Sequence, residues 1–208
     1  MSNAAPFLVF LVATVALNLS PGPDMLYVIS RTLEGGRRAG IISAFGIGVG
    51  TLVHMSVAAV GLSALLISFP LAYQTIRVIG AAYLVFLGFR IIRSNPQTRE
   101  RPSGREKCQT SPYAIFRQGV ITNVLNPKVA LFFLAFLPQF VDYSTGFFVL
   151  QILFLGLVFD CSGTTWNVIV AILAGKANSI LQGRPEILRI QRTLPGLILI
   201  GLGLLILV

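Results

Sequence analysis

The chain has little charge and very little acid. Only 11% of its 208 residues are charged, against 55% hydrophobic, and 7 Asp and Glu face 16 Lys and Arg. So thin a supply of charge, with a mean hydropathy of +0.82, excludes an ordinary soluble domain, of which about 25% is charged. One histidine and two aspartates inside the apolar runs, Asp24 and Asp160, are too few for a protein-built metal cage, and neither a metal nor a cofactor is expected. Cys108 falls in a basic stretch and Cys161 inside an apolar run, so no structural disulfide is expected either. No aromatic residues interleave a basic strand, and the +9 charge and pI near 10.4 therefore do not mark a nucleic-acid partner.

What fills the sequence instead is hydrocarbon. Apolar runs of about 20 residues, each enough to cross ~30 Å of bilayer core, recur along its whole length. All but two of the basic residues lie in three clusters, from Arg31 to Arg38, from Arg90 to Arg117 and from Lys176 to Arg192. The turns between the clusters are uncharged or acidic. Basic turns on alternate sides are the positive-inside pattern of a multi-pass protein. The expectation is an all-α polytopic membrane protein with spans near residues 6–32, 39–69, 71–92, 113–137, 147–174 and 193–208. Its basic loops would face the cytoplasm and both termini the outside. No Lys or Arg precedes the first run, which therefore reads as a retained span rather than a cleaved signal.

Two of these runs are interrupted. The first contains Asn18-Leu19-Ser20-Pro21-Gly22-Pro23-Asp24. Two prolines remove two backbone donors, and their rings clash with the carbonyls four residues back, at Leu17 and Leu19. Bare backbone groups survive in hydrocarbon only where protein, water or a ligand satisfies them. The fourth run contains Asn126-Pro127-Lys128, an N-cap followed by proline at the first helical position, which predicts a helix restarting in mid-membrane. Asp24 and Lys128 each follow a break, and Asp160 lies inside the fifth run. Intramembrane ionisable groups of this kind mark substrate or ion pathways. Lys128 sits at an unfavourable dipole end and is expected to need an anion: Asp24, Asp160 or a bound carboxylate.

The polar segment Arg93 to Ser111 divides the chain into a first half, residues 1–92, and a second half, residues 113–208, joined by a loop over 93–112. With three spans in each, the halves must have opposite topology. Pro21 follows Pro6 at nearly the interval at which Pro127 follows Tyr113, and the step from Pro23 to His54 matches that from Pro127 to Asp160 within two residues. Paired interruptions in corresponding positions point to a transporter site at the interface of inverted repeats. Asn18, His54, Thr164 and Asn167 are the nearest polar candidates to support such a site. For His54 an interhelical hydrogen bond competes with a proton or substrate role, and for Trp166 packing competes with cavity lining.

At these residues the chain resembles the LysE/RhtB-type exporters of amino acids. The motifs are the first break followed by Tyr27 and Arg31, then Gly35-Gly36-Arg37-Arg38-Ala39-Gly40. In the second half they are Thr122-Asn123-Val124-Leu125-Asn126-Pro127-Lys128, Phe132-Phe133 and Leu137-Pro138-Gln139-Phe140. The resemblance implies a bacterial inner-membrane exporter driven by the proton gradient, with no enzymatic activity. The family's aspartate after the first break falls on Asp24, its Asn-Pro-Lys on Asn126, Pro127 and Lys128, and its fifth-span aspartate on Asp160. The stretch Gly36 to Gly40 with His54 resembles the branch that exports neutral amino acids such as threonine or homoserine. The reading admits a homodimer.

Alternating access of the two halves around a midplane site would then bind the substrate as a zwitterion. Lys128 and the free N–H groups after Pro127 would take its carboxylate. Asp24, Asp160 and the bared carbonyls near Leu17 and Leu19 would take its ammonium, and one of the aspartates would carry the exchanged proton. Exporters of basic amino acids, of another small metabolite or of an inorganic cation are the alternatives, although Lys128 would repel a metal ion. An intramembrane aspartyl protease built on Asp24 and Asp160 is the distant one: a Pro-Gly-Pro break stands where a Gly-x-Gly-Asp signature belongs. A structural assembly factor would leave the buried ionisable groups unexplained.

Overall fold

The computed structural model describes residues 4–68, 70–93, 111–142, 146–181 and short helical stretches between 193 and 204. No strand occurs among these residues. The regular elements are α1 (Ala4–Leu19), α2 (Pro23–Ser68), α3 (Pro70–Arg93), α4 (Pro112–Val124), α5 (Pro127–Leu131) and α6 (Phe148–Leu181). The basic loop with Cys108, the segment 182–192 and the last four residues lie outside the described residues.

Both sequence-predicted breaks are present. α1 stops at Leu19 and α2 starts at Pro23, because neither Pro21 nor Pro23 can donate to the turn behind it. α4 stops at Val124, and α5 restarts at Pro127 with Asn126 as N-cap; the Asn126 side chain accepts from the Lys128 N–H at 3.0 Å. The axis bends by 47° across this second break. α5 then passes through a π turn, Phe132–Phe136, and a 3-10 turn, Leu137–Phe140, a change of pitch that the apolar spacing does not announce. Pro138 lies in that 3-10 turn, where its missing donor interrupts the α-helical ladder.

The chain reverses at one residue rather than across a six-residue turn. Helix continues past Thr32 to Gly35 and resumes at Arg37, with Gly36 alone non-helical at φ 77° and ψ −179°. That region is open only to glycine. Across the reversal the helix ends meet closely: a Cβ on Gly40 would run into the Thr32 hydroxyl. Glycines also set the crossing of α2 over α4, since a Cβ on Gly46 would strike the Phe116 carbonyl and one on Gly119 would lie 2.9 Å from the Ser43 carbonyl. Small residues thus bring the two backbones together.

The two broken helices lie side by side and antiparallel. On one side of the breaks Phe10 of α1 packs on Phe132 and Phe140, with ring centroids 6.1 and 5.5 Å away. On the other side the Tyr27 hydroxyl donates to the Ile115 carbonyl at 2.7 Å, and Arg31 donates to Gln118 Oε1 at 2.6 Å. Arg31 also pairs with Glu34 at 2.8 Å and lies over the Tyr27 ring. An apolar core that includes Phe10, Leu17, Phe132, Phe133, Phe136 and Phe159 fills the first side. A smaller one of Val28, Ala44, Ile47, Val170 and Ala171 fills the second.

Outward, the helices present Leu8, Val15, Phe45, Val60, Phe86 and Phe154, all exposed. A surface this apolar suits lipid rather than water. By length and apolar composition the stretches Pro23–Gly61, which the reversal at Gly36 divides, and Phe148–Ala174 can cross a membrane, and the bent pair Pro112–Val124 and Pro127–Phe140 qualifies as a further span. The described chain is thus an all-helical, multi-pass membrane protein.

Candidate functional site

Between the two apolar cores lies a polar layer built by the breaks themselves. Asp24, in the first turn of α2, meets the last turn of α4: Asn123 Nδ2 donates to Asp24 Oδ2 at 2.9 Å. Lys128, in the first turn of α5, meets the last turn of α1. Its Nζ donates to the carbonyls of Leu17 and Ser20, both at 3.1 Å, and to Ser20 Oγ at 3.3 Å. Each restart of one broken helix is therefore held by the stop of the other. Asp24 is 9% exposed and Lys128 8%. Both charged groups are buried.

Lys128 makes no direct ion pair with Asp24 or Asp160: among the described residues no Asp or Glu oxygen lies within 4.0 Å of it, and Arg31–Glu34 is the ion pair found there. Instead Lys128 takes the carbonyl that Pro21 left without its in-helix donor, at Leu17, together with that of Ser20 rather than Leu19. The negative end of α1 attracts a cation for the reason any helix C-terminus does. Gly22 makes room: a Cβ there would lie 3.0 Å from Lys128 Nζ and 3.4 Å from Cε.

A narrow cavity of about 30 Å³ opens in this layer, lined by Asp24, Asn123, Lys128, Asp160, Thr164 and Asn167 together with Asn18, Ser20 and Thr51. A space of that size holds a water or two, not an amino acid. Asp160 receives a hydrogen bond from Thr164 Oγ1 at 3.3 Å. Gly48 of α2 brings that pair close, since a Cβ on it would lie 2.7 Å from Thr164 Oγ1. Asn18 is tied to α6, its Nδ2 donating to Ser162 Oγ at 2.9 Å. Two polar atoms at the breaks are buried and without a hydrogen-bond partner, Asp24 Oδ1 and Asn126 Nδ2. An acceptor and a donor left open in a desolvated layer are costly unless something else comes to satisfy them.

The candidates singled out in the sequence sort as follows. Asp24, Lys128, Asp160, Asn18, Thr164 and Asn167 line one cavity, while Pro21, Gly22, Pro23, Asn126 and Pro127 form the breaks beside it and do not line it. His54 does not line it. Its Nε2 lies 3.0 Å from the Asn123 carbonyl and its ring stacks on Phe133, so the interhelical contact is the one observed. Trp166 packs against the core around Val28. Sequence reasoning missed Asn123 as a site residue, although it stands in the second motif. Its position one turn before a break, on the face opposite Asp24, is visible only once the two broken helices are laid antiparallel.

An all-helical membrane protein with broken helices crossing around a buried, charged cavity has the architecture of a transporter, not of an enzyme. The chain belongs to the LysE type translocator family, whose model matches residues 15–208. It is 32% identical over 148 residues to a leucine efflux protein of Salmonella typhimurium, covering 68% of each chain, and equally to that of Salmonella typhi. It is also 30% identical over 205 residues to an uncharacterized membrane protein of Vibrio cholerae, covering 96% of this chain and 95% of the other. No solved structure matches.

Proposed function

We propose that the protein exports small neutral amino acids, leucine-like or threonine-like, across the bacterial inner membrane by proton antiport with alternating access. One observation carries this reading: a buried carboxylate oxygen, Asp24 Oδ1, stands open in a cavity that also holds a lysine and an unused amide donor nearby. Both charge signs within one small site suit a zwitterion. The substrate's ammonium goes to Asp24, with Asp160 at the far wall, and its carboxylate to the Asn126 amide. One of the three ionisable groups on the cavity, buried Asp24, buried Lys128 or half-buried Asp160, exchanges the proton. The leucine efflux relatives support an aliphatic substrate, and the uncharged lining around Met25, Ile47 and Phe159 is compatible with one.

Two inverted repeats, residues 1–92 and 113–208, account for the reciprocal holding of Asp24 and Lys128: a two-fold axis in the membrane plane relates each restart to the other stop. The cavity in this conformation is too small for substrate, so α1 with α5, or the start of α2 with α4, must part to admit it. Expression is expected to deplete the cell of one or a few neutral amino acids and to confer resistance to their toxic analogues. Loading cells with a peptide mixture and profiling the medium checks this. Release of lysine and arginine alone would favour the basic-substrate alternative, and a profile equal to that of an empty-vector control would remove the exporter reading.

In this arrangement the loop over 93–112 faces the cytoplasm and both termini face outward. With exposed Cys161 replaced by serine, a membrane-impermeant thiol reagent should label Cys108 in inverted vesicles and leave it unlabelled in intact cells. Labelling from outside would reverse the topology.

A further inference from the structure

We propose that protonated Lys128 and the substrate's ammonium take turns on one set of oxygens, the carbonyls of Leu17 and Ser20 and the Ser20 hydroxyl, and that this exclusion couples proton entry to amino-acid export. The inference rests on the exporter reading above and adds to it the identity of the coupling group. The sequence alone favoured an aspartate for that role.

The geometry suits an ammonium. Lys128 Nζ has three oxygen partners, at 3.1, 3.1 and 3.3 Å, and a protonated amine has three N–H donors for them. The Leu17 carbonyl also accepts from the Ser20 hydroxyl at 2.9 Å and from the Ser20 N–H at 3.2 Å, which holds the niche in shape when the amine leaves it. The niche is made of dipoles, not of counter-charge, and stands at the C-terminal end of a 16-residue helix, which favours any cation there. Gly22 leaves room for the CH2–NH3 head, since a Cβ there would lie 3.0 Å from Nζ and 3.4 Å from Cε. An amino acid carries the same head group in its α-ammonium. The charged groups facing Lys128 are Asp24 from the start of α2 and Asp160 from α6, both on the cavity wall. His54, farther along α2, is engaged with the Asn123 carbonyl. With Asp24 Oδ1 unpartnered beside the niche, an entering ammonium finds a carboxylate and the three oxygens together, provided that Lys128 has left them.

The cycle then balances. In the cytoplasm-facing state the Lys128 ammonium gives one proton to water as a neutral zwitterion places its ammonium on the niche. In the outward-facing state the amino acid leaves, Nζ takes one proton from the outside, and the ammonium returns to the three oxygens. One proton enters for each amino acid exported, and one positive charge moves inward with it. The empty carrier never crosses with a vacant niche, so it carries no foreign cation back.

The test uses the full-length protein, purified, with L-leucine as probe. Below a midpoint pH, wild-type protein is expected to release one proton per leucine bound, its apparent affinity falling there by about tenfold per pH unit, and above the midpoint to release none. Ser20→Ala removes one of the ammonium's three acceptors and should lower that midpoint by about one pH unit. Lys128→Gln should bind leucine with an affinity that does not vary with pH. If Lys128→Gln binds nothing, the Ser20→Ala midpoint decides, because Ser20 makes no hydrogen bond to either aspartate. Leucine binding by wild type without proton release at any pH, or an unmoved midpoint in Ser20→Ala, would overturn the inference and leave the exporter reading standing. Wild-type protein that neither binds nor exports leucine would count against the leucine-like substrate instead.

Discussion

Asp24→Asn is expected to reach the membrane folded and to lose at least about 100-fold in export, the equivalent of roughly 3 kcal/mol for a charged hydrogen bond to a desolvated ligand. The substitution keeps the shape, and the amide oxygen still accepts from Asn123 Nδ2, so the crossing of α2 and α4 survives. What changes is the second position. Oδ1, the oxygen left open in the layer, becomes an NH2 group that repels an ammonium. Asp24→Glu restores the charge one methylene farther out and should recover part of the rate. Asp160→Asn is the comparison. Asp160 is only half-buried and already engaged with Thr164, so its loss should weaken export by less. Transport into liposomes of defined pH gradient measures all three. Uphill export by Asp24→Asn above a tenth of the wild-type rate would reduce Asp24 to a helix-start residue with no part in binding.

The second large effect is expected at Asn123, a residue with no charge at all. Its amide donates to Asp24, its Oδ1 lies 3.4 Å from Thr51 Oγ1, and its carbonyl meets His54. Asn123→Ala strips the 2.9 Å hydrogen bond from a buried carboxylate, at a cost of about 1–3 kcal/mol. The apparent melting temperature should drop by several degrees, and export should fall about tenfold as Asp24 loses its fixed position. Asn123→Asp is the more severe change, because two carboxylates would then face one another at 2.9 Å, the distance now spanned by the hydrogen bond. Little folded protein is expected at neutral pH. The His54 contact, made to the backbone, is untouched by either substitution, so a stability loss traces to the side-chain contacts with Asp24 and Thr51. An Asn123→Ala protein with wild-type melting and export would show that Asp24 is held by other means.

Both variants act where two helices stop and two restart, and that part of the molecule was only half legible in the sequence. The breaks themselves are local chemistry. A proline cannot donate, whatever surrounds it, and Asn before Pro caps a helix wherever it lies, so Pro21, Pro23 and the Asn126-Pro127 pair fixed the ends of α1, α2, α4 and α5 to within a residue or two. The multi-pass class followed just as directly from hydrocarbon length and from where the arginines cluster. The reversal at Gly36 was foreseen as a turn but not as a single residue, because the glycine pair and the arginines mark a loop without saying which φ it adopts.

Partnership was a different matter. Charge alone asked for an anion beside Lys128, Asp24, Asp160 or a bound carboxylate, and depth along the chain set His54 and Asp160 at matching positions of the two halves. The structure gives Lys128 three neutral oxygens and turns His54 to a backbone carbonyl. Which acceptor a buried amine reaches depends on how the helices cross, and that crossing is set by glycines meeting carbonyls at Gly46 and Gly119, more than a turn from the groups concerned. The sequence by itself determined that the backbone must break twice and that charge must lie beside each break, because both are properties of single residues. Only the tertiary structure decided that each break is closed by the other: burial forces every bared group to find a partner, and the antiparallel packing of the two broken helices determines which partner is within reach.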